Sequence, residues 1–291
     1  MMCLLSLLGL GSIGFNLVNR HRQIQQIEQT QTANDLLTQK KYALAVAAYE
    51  ELLQTSTAQL HRLWTNRGYA LLGLGNYREA LNSCSQATSL NPKADLAWNC
   101  RGEALYYLGE QKQALTAFKK AIAIQPKNEI YWVNYSNILA NLSNHEAAVA
   151  ASKKAIALLQ SQPQTAKTSS NLAHLLGQQG HNFLELKQNK QALTAFTQSL
   201  SYQSNYLVAQ QGQGIALYRL GRYRQAVKLF DRLLRREDLT TEQQAIGLLY
   251  KGISLCETPQ AAAAKEAFEQ VLQLTADPQS QKIAKSGCGI R

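Results

Sequence analysis

A chain of 291 residues with 45% hydrophobic content, 5 Pro and 17 Gly can bury a large core without disulfides or metals, which excludes a disordered or fibrous protein. Its 30 basic against 19 acidic side chains leave a net charge of +11, which favours an acidic protein surface, anionic lipid headgroups or nucleic acid as neighbours and says nothing about fold. The five cysteines, Cys3, Cys84, Cys100, Cys256 and Cys288, are odd in number, widely spaced and free of any Cys-x-x-Cys, so we expect reduced thiols in a cytoplasm-like compartment and no zinc site.

Residues 1–19 form an apolar segment. Met1 to Val18 carries no charge, is dominated by leucines, Ile13 and Phe15, and then meets Arg20, His21 and Arg22. Eighteen helical residues reach roughly 27 Å, slightly short of a ~30 Å hydrocarbon core. The segment reads as a membrane anchor; an extra packing helix and a start-site artefact are the alternatives. No basic region precedes it and no small-x-small cleavage site follows, which argues against a signal peptide. The basic cluster on its C-terminal side would leave the body of the chain in the cytoplasm or a plastid stroma. Residues 20–32 read as a polar, Gln-rich linker.

Internal periodicity governs the remainder. Trp64, Trp98 and Trp132 recur every 34 residues, and the first two are followed in phase by Gly68 and Gly102, Ala80 and Ala114, and Pro92 and Pro126. With Phe118 and Ala121 added, residues 94–128 resemble the tetratricopeptide repeat, a helix-turn-helix unit. Carried along the chain, the frame places second-helix alanines at Ala45, Ala80, Ala114, Ala148, Ala192, Ala226 and Ala264, about seven repeats. First-helix glycines stand at Gly180, Gly214 and Gly252, and aromatics at Tyr49, Phe196, Phe230 and Phe268. Small residues let paired helices approach closely while the aromatics fill the space between them. Ser136 and Ser152 break the pattern where Gly and an aromatic are expected, and Cys84 takes an aromatic position as a small core residue.

The resemblance implies an all-α, right-handed superhelical solenoid following the apolar N-terminal helix. Its expected parts are about four repeats over 33–160, a loop or seam over 161–170, about three repeats over 171–278, and a tail over 279–291. Only Gln279 to Ser286 remains to cap the last repeat, whose apolar face would then invite a partner or a second copy.

Enzyme signatures are absent: there is no Gly-x-x-x-x-Gly-Lys, His-Glu-x-x-His or Gly-x-Ser-x-Gly, so we expect a non-catalytic protein with no cofactor and no metal. His174 and His181 share a helix face, with no third ligand in sequence nearby.

In the family that this chain resembles, function lies on the concave surface lined by first helices. The positions expected there are Asn34, Asn66, Asn99, Asn134 and Asn137, amides suited to an extended peptide backbone, with Tyr69, Tyr106 and Tyr107 adding apolar pockets; Cys100 is also expected to face the groove. The family's carboxylate clamp is mostly missing: Asn34 and Asn66 match its asparagines, but Thr30, Leu96 and Cys100 replace its basic residues. A second candidate surface is the basic patch Arg219, Arg222, Arg224, Lys228, Arg232, Arg235 and Arg236, diluted by Asp231, Glu237 and Asp238. Tyr223 and Phe230 fall among these cations but stand at positions that the repeat frame uses for its turn and its packing, so nothing aromatic interleaves the patch in the way single-strand nucleic-acid binding favours. The expected function is a membrane-tethered interaction scaffold or assembly factor; the alternative is a soluble regulatory adaptor that meets an acidic partner or nucleic acid through the patch.

Overall fold

A computed structural model describes residues 20–21 and 23–289, and every described regular element is helical. The apolar segment 1–19 lies outside the described residues, as does the anchor assigned to it. Among the described residues no helix is long and apolar enough to cross a membrane. The chain divides into two compact units, Met1–Ile138 and Leu139–Arg291, with the boundary inside one helix.

The first unit contains α1 (23–38), α2 (Tyr42–Thr55), α3 (Leu60–Gly73), α4 (Tyr77–Leu90), α5 (Asp95–Tyr107), α6 (Gln111–Ile124) and most of α7 (Glu129–Asn141). Residues 23–32, expected as linker, are the start of α1, and Ala33 within it is fully buried. From α2 to α6 each helix packs on the next, and the first helices α3 and α5 also touch each other. The second-helix alanines Ala45, Ala80 and Ala114 are all 0% exposed, as the close approach of paired helices requires. Gly102 shows why the partner position must be small: a Cβ there would stand 2.5 Å from Cε1 of Phe118. Burying a Phe side chain stabilises by ~1.5–3 kcal/mol, and the ring reaches the core only because Gly102 leaves the space open. The recurring tryptophans have a hydrogen-bonding role too. The Trp98 and Trp132 indole N–H groups donate to the carbonyls of Pro92 and Pro126, at 2.9 and 2.8 Å, tying each first helix to the chain that enters it.

The second unit continues with α8 (His145–Gln160), α9 (Ala166–Glu185), α10 (Asn189–Tyr202), α11 (Leu207–Arg219), α12 (Tyr223–Leu233), α13 (Thr241–Cys256), α14 (Ala261–Leu274) and α15 (Pro278–Ser286). The same steric pairing recurs: a Cβ on Gly180, Gly214 or Gly252 would meet Phe196, Phe230 or Phe268 at 2.7, 2.5 and 2.7 Å. Ala192, Ala226 and Ala264 are 0% exposed beside them, and so is Ala148. At the irregular repeat a buried hydrogen bond replaces the aromatic, with Gln179 Nε2 donating to Ser152 Oγ at 2.8 Å.

The seam is shorter than expected. Only 161–165 is non-helical, because Thr165 and Thr168 form a reciprocal capping box that starts α9 five residues earlier than the composition suggests. The extra residues lengthen α9 to 20. At the other end Asp277 caps α15 by accepting from Ser280 N at 2.7 Å, and Pro278 begins the helix. α15 lays Ala284 against the cluster formed by Leu248, Leu255, Phe268 and Val271, giving the last repeat a helical cover.

The expectation of reduced thiols is corrected. Cys84 is joined to Cys100, linking α4 to α5, and Cys256 to Cys288, linking the end of α13 to the turn after α15. The Cα separations are 5.8 and 5.2 Å, ordinary for cystines. The spacings of 16 and 32 residues carry no motif, since the pairs arise from which residues face each other across packed helices. Cys100 is therefore 0% exposed and does not face the groove.

Candidate functional site

The expected amides of the first unit meet on the faces of α1, α3, α5 and α7, held there by the small-residue contacts that bring first helices together. Asn66 Nδ2 donates to Asn34 Oδ1 at 2.9 Å, and the Tyr49 hydroxyl donates to the same oxygen at 2.8 Å. Asn134 Nδ2 donates to Asn99 Oδ1 at 3.0 Å, and Asn99 Nδ2 donates to the Tyr69 hydroxyl at 2.9 Å. Tyr69 in turn donates to the Leu96 carbonyl at 3.2 Å. The amides thus direct much of their hydrogen-bonding capacity at one another. Asn99 is only 2% exposed, so it belongs to the floor and not to the contact surface. Asn137 lies one turn beyond Asn134 on α7, and both are half-buried. Tyr107 is 54% exposed and stacks on Tyr77 with ring centres 4.7 Å apart, while Tyr106 sits edge-on to Tyr107.

Three kinds of residue complete this face without standing out in the sequence. Glu103, one turn beyond Asn99, accepts from Asn99 Nδ2 at 2.5 Å and from Asn134 Nδ2 at 3.2 Å, both on Oε1. Burial pushes its carboxyl above the usual carboxylate range, against the pull of those two amide donors. The charged form is therefore the costly one in the folded chain, and this residue's contribution to stability falls as pH rises through the window above its ordinary value of 4.5. Burial likewise raises the Tyr69 hydroxyl, with the Glu103 charge adding to it, so it stays a neutral donor. The Tyr131 hydroxyl donates to Asp95 Oδ2 at 2.7 Å at the head of α5. Leu96 and Ile130, near the starts of α5 and α7, are each 52% exposed. The repeat frame does carry a signal for two of these sets: Tyr69, Glu103 and Asn137 are 34 residues apart, as are Leu96 and Ile130.

The basic residues of the second unit divide into two groups. Arg219 Nη1 donates to the Leu184 carbonyl at 2.6 Å, and Arg236 pairs with Asp238 at 2.6 Å while reaching the Asn205 carbonyl and Gln210 Oε1; these two fasten helices and loops. The Asp238 carboxyl, hydrogen-bonded by Arg236, is held below its usual range. Arg222, Arg224, Lys228, Arg232 and Arg235 are at least partly exposed. Arg222, Lys228 and Arg232 rim a shallow depression floored by Leu193, Leu217 and Leu229. His174 and His181 stand apart in use: the first shares a hydrogen bond with the Tyr206 hydroxyl at 3.1 Å and the second meets the Phe196 ring edge-on. Among the described residues no group of three or more His, Cys, Asp or Glu is placed to hold a metal ion.

Helix pairs repeated in register, with a half-buried polar face on their first helices, define a helical-repeat interaction protein. The tetratricopeptide repeat profile matches residues 65–129, 101–163 and 212–280, more than half of the chain, and the chain belongs to that family. Among solved structures it is similar to PilW, a type IV pilus biogenesis factor (23% identity, 78% of this chain and 99% of that one, TM-score 0.61). It is also similar to PilF of Pseudomonas aeruginosa (18% identity, 78% and 97% covered, TM-score 0.61). A third similar structure is YrrB, a tetratricopeptide protein with an unusual peptide-binding site (17% identity, 70% and 97% covered, TM-score 0.55). At these identities the likeness is one of fold. No curated protein matches the chain.

Proposed function

We propose that the chain is a non-catalytic scaffold that takes an extended segment of a partner protein across the first-helix face of the first unit, and that residues 1–18 tether it to a membrane. The observation that carries the binding reading is the coincidence on one face of two half-exposed aliphatic side chains, Leu96 and Ile130, with a floor of half-buried amides and tyrosines. Aliphatic side chains left open beside fixed polar groups are what an extended peptide recognises. The peptide-binding site of YrrB lends the reading support by analogy of fold. The tether rests on the uncharged run Met1 to Val18, and the pilus-biogenesis role of PilW suggests assembly work of a comparable kind.

Affinity capture from a detergent-solubilised membrane fraction tests both parts, using the full chain, a chain lacking 1–18 and a Leu96→Asp/Ile130→Asp variant. We expect the full chain to resist carbonate extraction, the truncated chain to be released, and the double variant to lose its co-purifying partner at least tenfold while keeping its helical circular dichroism. Undiminished capture by the double variant would move the interface off this face. The depression rimmed by Arg222, Lys228 and Arg232 supports a second reading, a soluble adaptor for an acidic partner. Release of the full chain by carbonate together with salt-sensitive capture lost on Arg222→Glu would favour it.

A further inference from the structure

Glu103 is at odds with its surroundings. In a chain with 30 basic side chains, none pairs with this carboxylate among the described residues; the ion pairs of the first unit are those of Arg67 with Glu50 and Glu79. Asp95, eight residues earlier on the same helix, is also without a cation and is bonded instead by the Tyr131 hydroxyl. A carboxylate withdrawn from water and not paired is unfavourable to keep ionised. Its hydrogen bonds are one-sided: Asn99 and Asn134 both donate to Oε1, and Oε2 accepts from no described group. The two amides therefore fix the carboxylate's orientation and leave one oxygen for a guest. On α5, Leu96, Asn99 and Glu103 follow at helical spacing, so the open oxygen shares a face with an exposed aliphatic side chain.

We infer that the first-helix face of the first unit selects segments carrying a lysine or arginine side chain flanked by apolar residues, the cation seated on Glu103 Oε2 between Leu96 and Ile130. This rests on the binding face proposed above and names the chemistry of its guest. A cation would restore the charge balance that the fold withholds from Glu103, and a charge-assisted hydrogen bond made in a half-buried site is stronger than one made in water. The same charge would repel acidic tails, in line with the missing basic residues of the carboxylate clamp.

The test is selection of a phage-displayed random dodecapeptide library on the full chain, followed by fluorescence anisotropy with the enriched peptides. The expected peptides share a lysine or arginine beside apolar residues. Replacing that cation by methionine should weaken binding at least tenfold, and so should Glu103→Gln, which preserves the amide hydrogen bonds. The methionine peptide should bind the Gln variant no worse than it binds the native chain, which assigns the loss to one contact. Peptides that lose binding on Leu96→Asp/Ile130→Asp but bind Glu103→Gln undiminished would overturn the cation and leave the face standing. Peptides indifferent to all three substitutions, or a library that yields no binder, would overturn the face itself.

Discussion

At the residue scale the structure turns on pairs in which one member is small so that the other can be large. Gly102 and Phe118 are one such pair, and the missing Cβ is space already taken by the ring. Gly102→Leu should therefore destabilise the first unit by about 1–3 kcal/mol through forced displacement of Phe118, read as a lower midpoint in chemical denaturation at unchanged m-value. Unchanged stability would mean that the helices are not in contact where the repeat frame puts them. These landmarks are legible in the sequence because sterics restrict them to particular residue types: a glycine recurring in phase marks a close helix contact, and a proline in phase marks a helix end. Gly68 satisfies the same frame against sulfur, since a Cβ there would meet Cys84 Sγ at 2.5 Å and Cys100 Sγ at 2.7 Å. Glu103 is not legible in the same way. A glutamate on a helix is normally solvated, and only the neighbouring first helices, about one repeat away in sequence, turn it into a half-buried acceptor. Position in the repeat finds the amides, but their bonding to one another stays hidden because it depends on distances between helices.

At the element scale the turn between the helices of a pair is the recurring device. Gly75, Gly109 and Gly221 adopt φ of +79°, +80° and +71° there, as glycine allows. Lys40, Ser143 and Lys187 occupy the equivalent turns with φ of 59°, 57° and 56°, where a side chain is strained. The frame at these turns is dictated by the packing of the helices, so the chain accepts the cost where glycine is missing. Lys187→Gly should accordingly raise stability, by about 1 kcal/mol after the greater entropy of the unfolded glycine is set against the relieved strain. A denaturation midpoint that falls on this substitution would refute that account. Composition also misplaces the start of α9: Thr, Ser and Lys read as loop formers, whereas Thr165 and Thr168 use their hydroxyls to begin a helix. Polar residues near a helix start serve both purposes, and which one prevails depends on whether the following turn has apolar surface to bury, as Leu172 and Ala173 do here.

At the scale of the whole molecule the chain is two units built on one repeat, each with a cystine placed differently. In the first unit the Cys84–Cys100 bond lies within the stack; in the second the Cys256–Cys288 bond closes the C-terminal end. Alkylation of denatured protein isolated without reductant should modify Cys3 and leave the other four until reductant is added. Modification of all five from the outset would argue for a reducing compartment. Cystines of this kind are found in oxidising compartments, whereas the basic residues Arg20, His21 and Arg22 after the apolar run favour the cytoplasmic side, and the alkylation pattern decides between them.

The terminal cystine also alters how the chain responds to tension. A stack of helix pairs pulled at its C-terminus would ordinarily peel from that end, α15 and then α14 running out as slack. Here the force entering at residue 289 passes through the sulfurs directly into α13, bypassing the intervening helices. Stretched between its ends, the oxidised protein should come out shorter than the reduced one by roughly 160 Å of contour, about 110 Å of it the chain held inside this terminal loop and the rest the shorter loop between Cys84 and Cys100.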